Sequence, residues 1–357
     1  MVSDVQVFAQ RLKQARILKK ISMDQLVNLI GGMVSKQAIS KYESAKMLPN
    51  SSVLIALAAA LDVDLDYFYR PFAFDLDQFE VSFRKKSNTT IKDVNALKVK
   101  IQDQVERYLE IEEILGKDGH EEIESIDSSV ASKEDMCELA MDLRQSWNLG
   151  CDAIANVQDT LEAHGIKVIS TEAPDNFDGV SGVVNGQEYI IVLNSNREHI
   201  ERRRFTALHE LGHLLYNNRF SEELTAREKE KLCDAFACEM LLPSSTLQSI
   251  FKSGEKISTS ELKQLQMMYG ISIDAIMHKL KDLEIISENK YKSYCIRKRT
   301  DEKLKKYVEE SRYQETMTNK FETMVYAAVA KDLISTSKAA SLLQVSVGTI
   351  RNHLNVI

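Results

Sequence analysis

A pentapeptide near the middle of the chain has the residue types and the spacing of a metal centre. It reads His209-Glu210-Leu211-Gly212-His213. On a helix, residues four positions apart lie on one face, so both imidazole rings can bind a single Zn²⁺ ion. Glu210 lies beside the metal, where it can take a proton from a bound water and deliver it to a leaving amine. The motif predicts zinc-dependent hydrolysis of a peptide or amide bond, with His209 and His213 as metal ligands and Glu210 as the catalytic residue.

A catalytic zinc ion also needs a third protein ligand and an open position for water. The natural source is a second predicted helix, which follows the pentapeptide and stops at Pro243. Glu230 and Asp234 lie one turn apart on the same face of that helix, so one can bind the metal while the other orients a histidine. Spacing alone leaves the choice between them open.

Other side chains near the motif have competing interpretations. Cys233 and Cys238 are alternative soft ligands, although buried cysteine is more often a small core residue. Tyr189 and Tyr216 are candidate hydrogen-bond donors to a tetrahedral oxyanion, although packing in the core is the more common role. The remaining alternative is that His209 and His213 are ordinary helix residues that bind no metal.

The elements around the motif are predicted to form a small sheet with helices. Residues 188–194 have the apolar character of a buried strand. Gly179, Gly182 and Gly186 are expected in turns, because no phosphate-binding glycine pattern is present. An extended peptide that paired with an exposed edge of this sheet would lie across the metal.

Residues 160–245 resemble the ImmA/IrrE family of metallopeptidases. The resemblance rests on the motif R-x-R-F-T-x-x-H-E-x-G-H followed by E-x-x-(small)-D-x-F-A-x-x-x-L-x-P. It implies zinc-dependent cleavage of repressors that carry XRE-type domains, with His209, His213 and Glu230 as ligands and Glu210 as general base. Cys233 stands where the family commonly has alanine.

The first fifty residues carry a charge opposite to that of the whole chain. They hold eight basic and three acidic side chains, whereas the chain of 357 residues has a net charge of -7. Short amphipathic helices, a Gly31-Gly32 break and a helix capped by Ser35 form a helix-turn-helix pattern. The side chains predicted to contact DNA are Ser35, Lys36, Gln37, Ser40 and Lys41.

This N-terminal segment resembles the XRE-type, lambda-repressor-like DNA-binding domains. The match covers about sixty residues and includes Arg11-Leu12-Lys13-x-Ala15-Arg16 and the stretch 35–43. Met23 departs from the family, which often has a polar, phosphate-contacting residue there. The alternative is a helical bundle that binds protein instead of DNA. Ser51 or Ser52 is expected to cap the next helix.

We predict four parts, with boundaries at 1–70, 71–130, 131–290 and 291–357. The second is a connector with weakly alternating residues at 72–83, a long helix at 91–115 and a hinge loop at 116–130. The last is a helical region. Two further helix-turn-helix-like patterns occur at 262–280 and 335–354, but neither is strongly basic, so packing or partner recognition is the expected role.

The predicted fold is mainly α with a small β-sheet in the peptidase core (α+β): an all-α helix-turn-helix bundle plus an HExxH zincin-like domain. No apolar run is long enough to cross a membrane, and five cysteines without a CxxC pair suggest reduced thiols. We therefore expect a cytoplasmic protein.

The predicted function is that of a DNA-binding transcriptional regulator with a zinc peptidase domain that cleaves a repressor or its own chain. Its expected partners are a DNA operator, a repressor substrate (of XRE type on the resemblance) and a second copy of the chain in a homodimer. The alternative is a non-hydrolytic transcription factor whose peptidase-like domain senses a ligand or metal or mediates dimerisation. An antitoxin-like partner protein is a weaker third reading, against which the intact pentapeptide argues.

Overall fold

The computed structural model describes residues 3–74, 90–116, 129–196, 199–315 and 319–354. These residues form two compact units. Unit 1 contains the described residues up to 116 together with 319–354, and unit 2 contains those from 129 to 315. The predicted extended pieces at 75–83 and most of the predicted loop at 116–130 lie outside the described residues. The division into four domains stays a prediction.

The elements follow one another in an order that is mostly helical. Unit 1 begins with α1 (Asp4–Leu18), α2 (Met23–Leu29), α3 (Lys36–Glu43), α4 (Ser51–Leu61), a 3₁₀ turn (Leu65–Tyr69) and α5 (Ile91–Ile114). Unit 2 contains α6 (Lys133–Ser146), α7 (Val157–Ala163), β1 (Lys167–Thr171), β2 (Gly179–Val184), β3 (Glu188–Asn194), α8 (Ile200–Tyr216), a 3₁₀ turn (Asn217–Arg219), α9 (Ala226–Leu241), α10 (Ser244–Ile250), α11 (Thr259–Tyr269), α12 (Ile273–Asp282), α13 (Glu288–Thr300) and α14 (Glu302–Glu309). Unit 1 ends with α15 (Lys320–Ala330), α16 (Thr336–Leu343) and α17 (Val347–Leu354).

The predicted α+β class, a helical N-terminal bundle followed by a peptidase-like domain with a small sheet, is confirmed. No helix in the described parts of the chain is both long and apolar enough to cross a lipid bilayer.

The sheet of unit 2 has the strand order β1-β3-β2 within the described residues. β1 runs parallel to β3, and β2 pairs with β3 in the antiparallel sense. The predicted strand at 188–194 is therefore the central strand, and β2 lies at an edge. α8 packs on β2 and β3 and also against α9.

Two glycines expected in turns lie in β2 instead. Gly179 opens the strand and Gly182 is inside it, whereas Gly186 is in the turn, with φ at 74°. A Cβ at Gly179 would lie 2.7 Å from Cγ2 of Thr206 on α8. The glycine is therefore there because α8 approaches the sheet too closely for a side chain.

The core of unit 2 joins the sheet to α8 and α9. Ile191, Leu208, Leu211 and Phe236 are among its buried side chains. Burial of each such side chain is worth about 1.5–3 kcal/mol. A Cβ at Gly212 would lie 3.2 Å from Phe236, so the glycine of the pentapeptide lets α8 and α9 pack closely. These contacts fix the two helices that carry the predicted site.

The N-terminal bundle of unit 1 has the predicted local features. Gly31 and Gly32 have φ of 67° and 69°, as the predicted break requires, and Ser35 caps α3 by accepting a hydrogen bond from the Ala38 amide. The expected cap of α4 is wrong, because Asn50 accepts from the Val53 amide and Ser51 is already the first helical residue.

Candidate metal centre and candidate DNA-binding surface

The predicted pentapeptide lies on α8, as the i, i+4 spacing requires. His209 and Glu210 are buried, and His213 is partly exposed. The helix is anchored one turn earlier by Arg204, which is 2% exposed. Its guanidinium donates to the Ile154 carbonyl at 2.6 Å and pairs with the carboxylate of Glu315. The face of α8 that carries the two histidines is thus held by packing and by a buried cation.

The side chains of α8 and α9 meet in a compact group of metal-type donors. The Nε2 atoms of His209 and His213 lie 3.1 Å apart. Glu230 brings Oε1 to 3.2 Å from Nε2 of His213 and Oε2 to 3.6 Å from Nε2 of His209. Ligands of a tetrahedral zinc ion with bonds of about 2.0–2.1 Å lie about 3.3 Å apart. The three donors therefore have the chemistry and the spacing of a zinc site.

Asp234 contacts His209 on the side of the ring opposite to the donor group. Its Oδ1 atom is 2.8 Å from Nδ1 of His209, the ring nitrogen that faces away from the other donors. Carboxylates in this position fix the orientation and tautomer of metal-binding histidines. Of the two candidate acids on α9, the geometry brings Glu230 to the donor group and Asp234 to the outer face of His209. The assignment of ligands stays a prediction.

The acids around His209 affect its protonation. Burial lowers the pKa of His209, but Asp234 and Glu230 act in the opposite direction, and the net effect raises the pKa to about 9. A histidine must be neutral to bind a metal, so binding here would release a proton. Asp234 and Glu230 therefore favour a positive charge at this position, either a proton on His209 or a bound cation.

Glu210 points toward the sheet side of α8. Its Oε2 atom accepts a hydrogen bond of 3.0 Å from the hydroxyl of Ser181 on β2. Ser181 could not be found from the sequence, because no short motif connects a serine on β2 with a helix that begins nineteen residues later. The hydrogen bond fixes the carboxylate of Glu210 beside the donor group.

Of the other residues considered at the site, Cys233 and Tyr216 lie in the core, and Cys238 and Tyr189 are partly buried and pack against it. Cys233 is fully buried, and its Sγ would be 3.5 Å from a Cβ at Gly212. Burial raises the pKa of the Cys238 thiol to about 12, so it stays neutral at physiological pH. Tyr216 is 2% exposed and packs edge-on against Phe236, with ring centroids 5.5 Å apart. Their surroundings are those of packing residues.

The second candidate site is the exposed face of α3. Ile39 and Tyr42 anchor this helix in the bundle and are at most 4% exposed. Glu43 at its end forms a pair of hydrogen bonds with Arg16 of α1, at 2.6 and 2.8 Å. The five predicted DNA-contacting side chains, Ser35, Lys36, Gln37, Ser40 and Lys41, are all exposed.

One of the five already has a partner. Lys36 pairs with Asp24 of α2 at 2.6 Å, and both side chains are more than half exposed. Exposed pairs of this kind contribute less than about 1 kcal/mol, so Lys36 can exchange Asp24 for a phosphate. The helix therefore presents an amide, two hydroxyls and two ammonium groups, which suit base edges and phosphates.

Comparison with known protein families identifies both regions. Residues 12–68 match a helix-turn-helix family model, and residues 161–281 match a peptidase family, M78, described as the IrrE N-terminal-like domain. The chain carries an XRE-type helix-turn-helix domain followed by an M78 domain. Both resemblances found in the sequence are confirmed. A comparison with curated proteins gives no match.

The two matches define the coarse character of the protein. A DNA-binding domain joined to a peptidase-family domain is the composition of a transcription regulator with a metallopeptidase-like domain. The M78 match encloses α8 and α9, and the helix-turn-helix match encloses α2 and α3. The helices α5 and α15–α17 lie outside both matches.

Proposed function

We propose that this regulator acts through zinc-dependent cleavage of a protein substrate by its M78 domain. The observation that carries the proposal is the convergence of three donors, His209, His213 and Glu230, beside the hydrogen-bonded carboxylate of Glu210. The donor spacing suits zinc, and the neighbouring acid suits proton transfer.

Each residue of the candidate site has a separate role in the proposed hydrolysis. His209, His213 and Glu230 would hold the zinc ion, and Asp234 keeps the ring of His209 in the orientation that binding requires. A zinc ion in such a site polarises a peptide carbonyl and lowers the pKa of water. Hydrolysis adds hydroxide to the carbonyl carbon and a proton to the amine. Glu210 takes the proton from the water and passes it to the departing amine.

The sheet offers a way to position the substrate. β3 is central, so the peptide-pairing edge expected from the sequence would be β2, whose Ser181 contacts Glu210. An extended peptide that paired with β2 would run alongside the catalytic carboxylate, because added strands take their register from the edge. This mode favours an unfolded or extended segment as the substrate.

The substrate in this proposal is a repressor, supplied in trans or as the regulator's own chain. The helix-turn-helix domain would bring the peptidase to an operator through Ser35, Lys36, Gln37, Ser40 and Lys41. A cytoplasmic homodimer is part of the proposal, since a two-fold arrangement suits the half-sites that such domains commonly bind.

Glu210→Gln tests the enzymatic part. The variant keeps the size of the side chain and an acceptor for Ser181, but it cannot hold the proton. We expect unchanged zinc content and a loss of cleavage of about 10²–10⁴-fold. Zinc is measured by elemental analysis on protein purified without added metal. Cleavage is measured as new protein N-termini that appear with the wild type and not with the variant, in the native host and with the purified chain.

Glu222→Gln is the matched control, because Glu222 is an exposed acid in the loop before α9. If new N-termini form in Glu210→Gln at the wild-type rate, the peptidase proposal is wrong. Transcriptional control that survives in Glu210→Gln but fails when zinc binding is removed would favour the alternative of a metal-sensing transcription factor.

A further inference from the structure

The helices α15–α17 form a second three-helix arrangement in unit 1. Met324, Val325 and Ala328 of α15 are buried, and α15 packs on α16 and on α5. From α16, the buried side chains are Ala339, Ala340 and Leu342, and from α17 Ile350. The segment packs on α5 through α15 and lies outside both family matches.

The connection between α16 and α17 has the geometry of a helix-turn-helix. α16 is capped by the Ser335 hydroxyl and ends at Leu343, and three residues separate it from α17, which begins at Val347. Gln344 takes the left-handed conformation, with φ at 55°, and so turns the chain sharply. The Ser346 hydroxyl then accepts a hydrogen bond of 3.1 Å from the Thr349 amide. A turn of three to four residues is typical of this motif.

The outer face of α17 carries side chains that can read DNA. Ser346, Gly348, Arg351 and Asn352 are exposed. Arginine makes paired hydrogen bonds to guanine and asparagine to adenine. A Cβ at Gly348 would have only the Ser346 hydroxyl within 4 Å, so the backbone at the start of α17 is open to close approach.

The charge of this segment favours DNA over a protein partner. Residues 319–354 hold four basic side chains and two acidic ones, in a chain whose net charge is -7. The exposed large apolar side chains among them are Leu333 and Val345, which make too small an apolar patch for a typical protein interface. The exposed face of α17 is polar and carries one permanently charged basic side chain, Arg351, which suits a phosphate-lined groove.

Long-range contacts fix this segment to α5. The guanidinium of Arg107 donates to the Leu342 carbonyl, and Lys338 pairs with Glu110. The amide of Gln344 donates to Asp103 at 3.1 Å. The turn between α16 and α17 is therefore held directly on the face of α5 that carries Asp103 and Arg107.

The same face of α5 also holds the N-terminal domain. Arg11 of α1 pairs with Glu106 at 2.7 Å, and Arg70 pairs with Asp103. Arg11 and Glu106 are at most 3% exposed. Both helix-turn-helix motifs are thus attached to one rigid helix through buried, directional contacts.

We propose that α16 and α17 form a second DNA-reading helix-turn-helix, held in a fixed relation to the first by α5. The operator of this protein would then contain two recognition elements per chain. Arg351 and Asn352 contact base edges in the second element, and Gln37 contacts the first.

Selection from a pool of random-sequence DNA duplexes with the full chain tests this proposal. The wild type is expected to select two separate sequence elements. Arg351→Ala should weaken binding to the selected duplexes about tenfold, and Asn352→Ala should remove the base preference at one position of the second element. Both side chains are exposed, so an unchanged circular dichroism spectrum is expected to show that the variants fold.

Arg299→Ala is the matched control, because it removes an exposed positive charge from α13 of unit 2. If Arg351→Ala and Asn352→Ala behave like Arg299→Ala in affinity and in selected sequence, the second motif does not read DNA. Loss of a bound protein without a change in DNA selection would overturn the proposal in favour of a protein partner. An effect of Gln37→Ala alone would leave the first motif as the DNA-binding site and reject the second.

Discussion

Two clusters of charged side chains in this protein differ in how their charges are balanced. On α5, Asp103 and Glu106 face the guanidinium groups of Arg11, Arg70 and Arg107. Arginine is always charged, so each buried acid has a permanent counterion. Three arginines face these two acids, so both acids are neutralised without a proton or a bound cation, and the contacts of the cluster join helices.

The cluster on α8 and α9 is built from different groups. The carboxylates of Glu230 and Asp234 face the rings of His209 and His213, and Glu210 lies next to them. Neutral imidazole brings no positive charge, so a proton or a bound cation must supply it. Permanently paired charges therefore maintain the fold, whereas acids that face histidines form a site that a cation can occupy.

The largest effect should come from removing one donor of the second cluster. We expect His213→Ala to retain almost no zinc, because a site with two protein ligands is too weak to survive purification. Elemental analysis of the variant measures this directly. His278→Ala removes an exposed histidine of α12 and should keep the wild-type zinc content. A full complement of zinc in His213→Ala would mean that the metal binds elsewhere.

Breaking the first cluster should affect stability instead of chemistry. Burial raises the pKa of Glu106 although Arg11 and Arg70 lower it. Glu106→Ala leaves Arg11 buried without its carboxylate, so we expect a loss of about 3–5 kcal/mol in the unfolding free energy of unit 1. Hydrogen exchange of the α5 amides measures this loss.

The exposed pair Lys36–Asp24 provides the control for that experiment, because Asp24→Ala should cost less than about 1 kcal/mol. Equal costs for Glu106→Ala and Asp24→Ala would show that the α5 cluster does not hold unit 1 together.

A smaller effect is expected from Asp234, the outer acid of the candidate metal centre. Asp234→Ala removes the partner of Nδ1 of His209 but leaves all three donors, so zinc affinity should fall about 10–100-fold. Competition with a chelator of known affinity measures the change, and Glu222→Ala is the control. A loss as complete as in His213→Ala would make Asp234 a ligand, and an unchanged affinity would remove its orienting role.

The smallest effect concerns Asp282 in unit 2, another acid with permanently charged partners. Lys133, His278 and Lys281 surround this carboxylate and hold its pKa below the ordinary value. A lowered pKa stabilises the folded state above the unfolded pKa of about 4, and this contribution is lost as the pH falls further.

Asp282→Asn should therefore reduce the stability of unit 2 at pH 7, and the difference from the wild type should shrink below about pH 4. Thermal unfolding across that pH range measures it. A difference that is independent of pH would show that Asp282 acts through packing alone.

Most residues of the candidate metal centre could be predicted from the sequence, but the contacts that position them could not. The pentapeptide and the acids at 230 and 234 are local patterns, because one helix turn sets their spacing. Ser181 and Gly179 could not be predicted, since their roles depend on how closely α8 packs on β2. The strand order could not be predicted either, because β1 pairs with β3 and not with β2, the next strand in the chain.

The same limit applies to unit 1. Ser35 as a cap and the Gly31-Gly32 break are short-range features, and both are confirmed. The attachment of α16 and α17 to α5 depends on contacts such as Gln344 with Asp103, which are 241 residues apart. Polar contacts of this kind leave no periodic pattern in either segment.

The M78 domain lies, in chain order, between α5 and α15, two helices that pack on each other in unit 1. A single cut anywhere within residues 129–315 would therefore leave two fragments that stay associated, because the contacts of α5 with α15–α17 do not depend on chain continuity. Self-processing inside this insertion would yield a nicked species that co-migrates with the intact protein on a sizing column and separates only in denaturant.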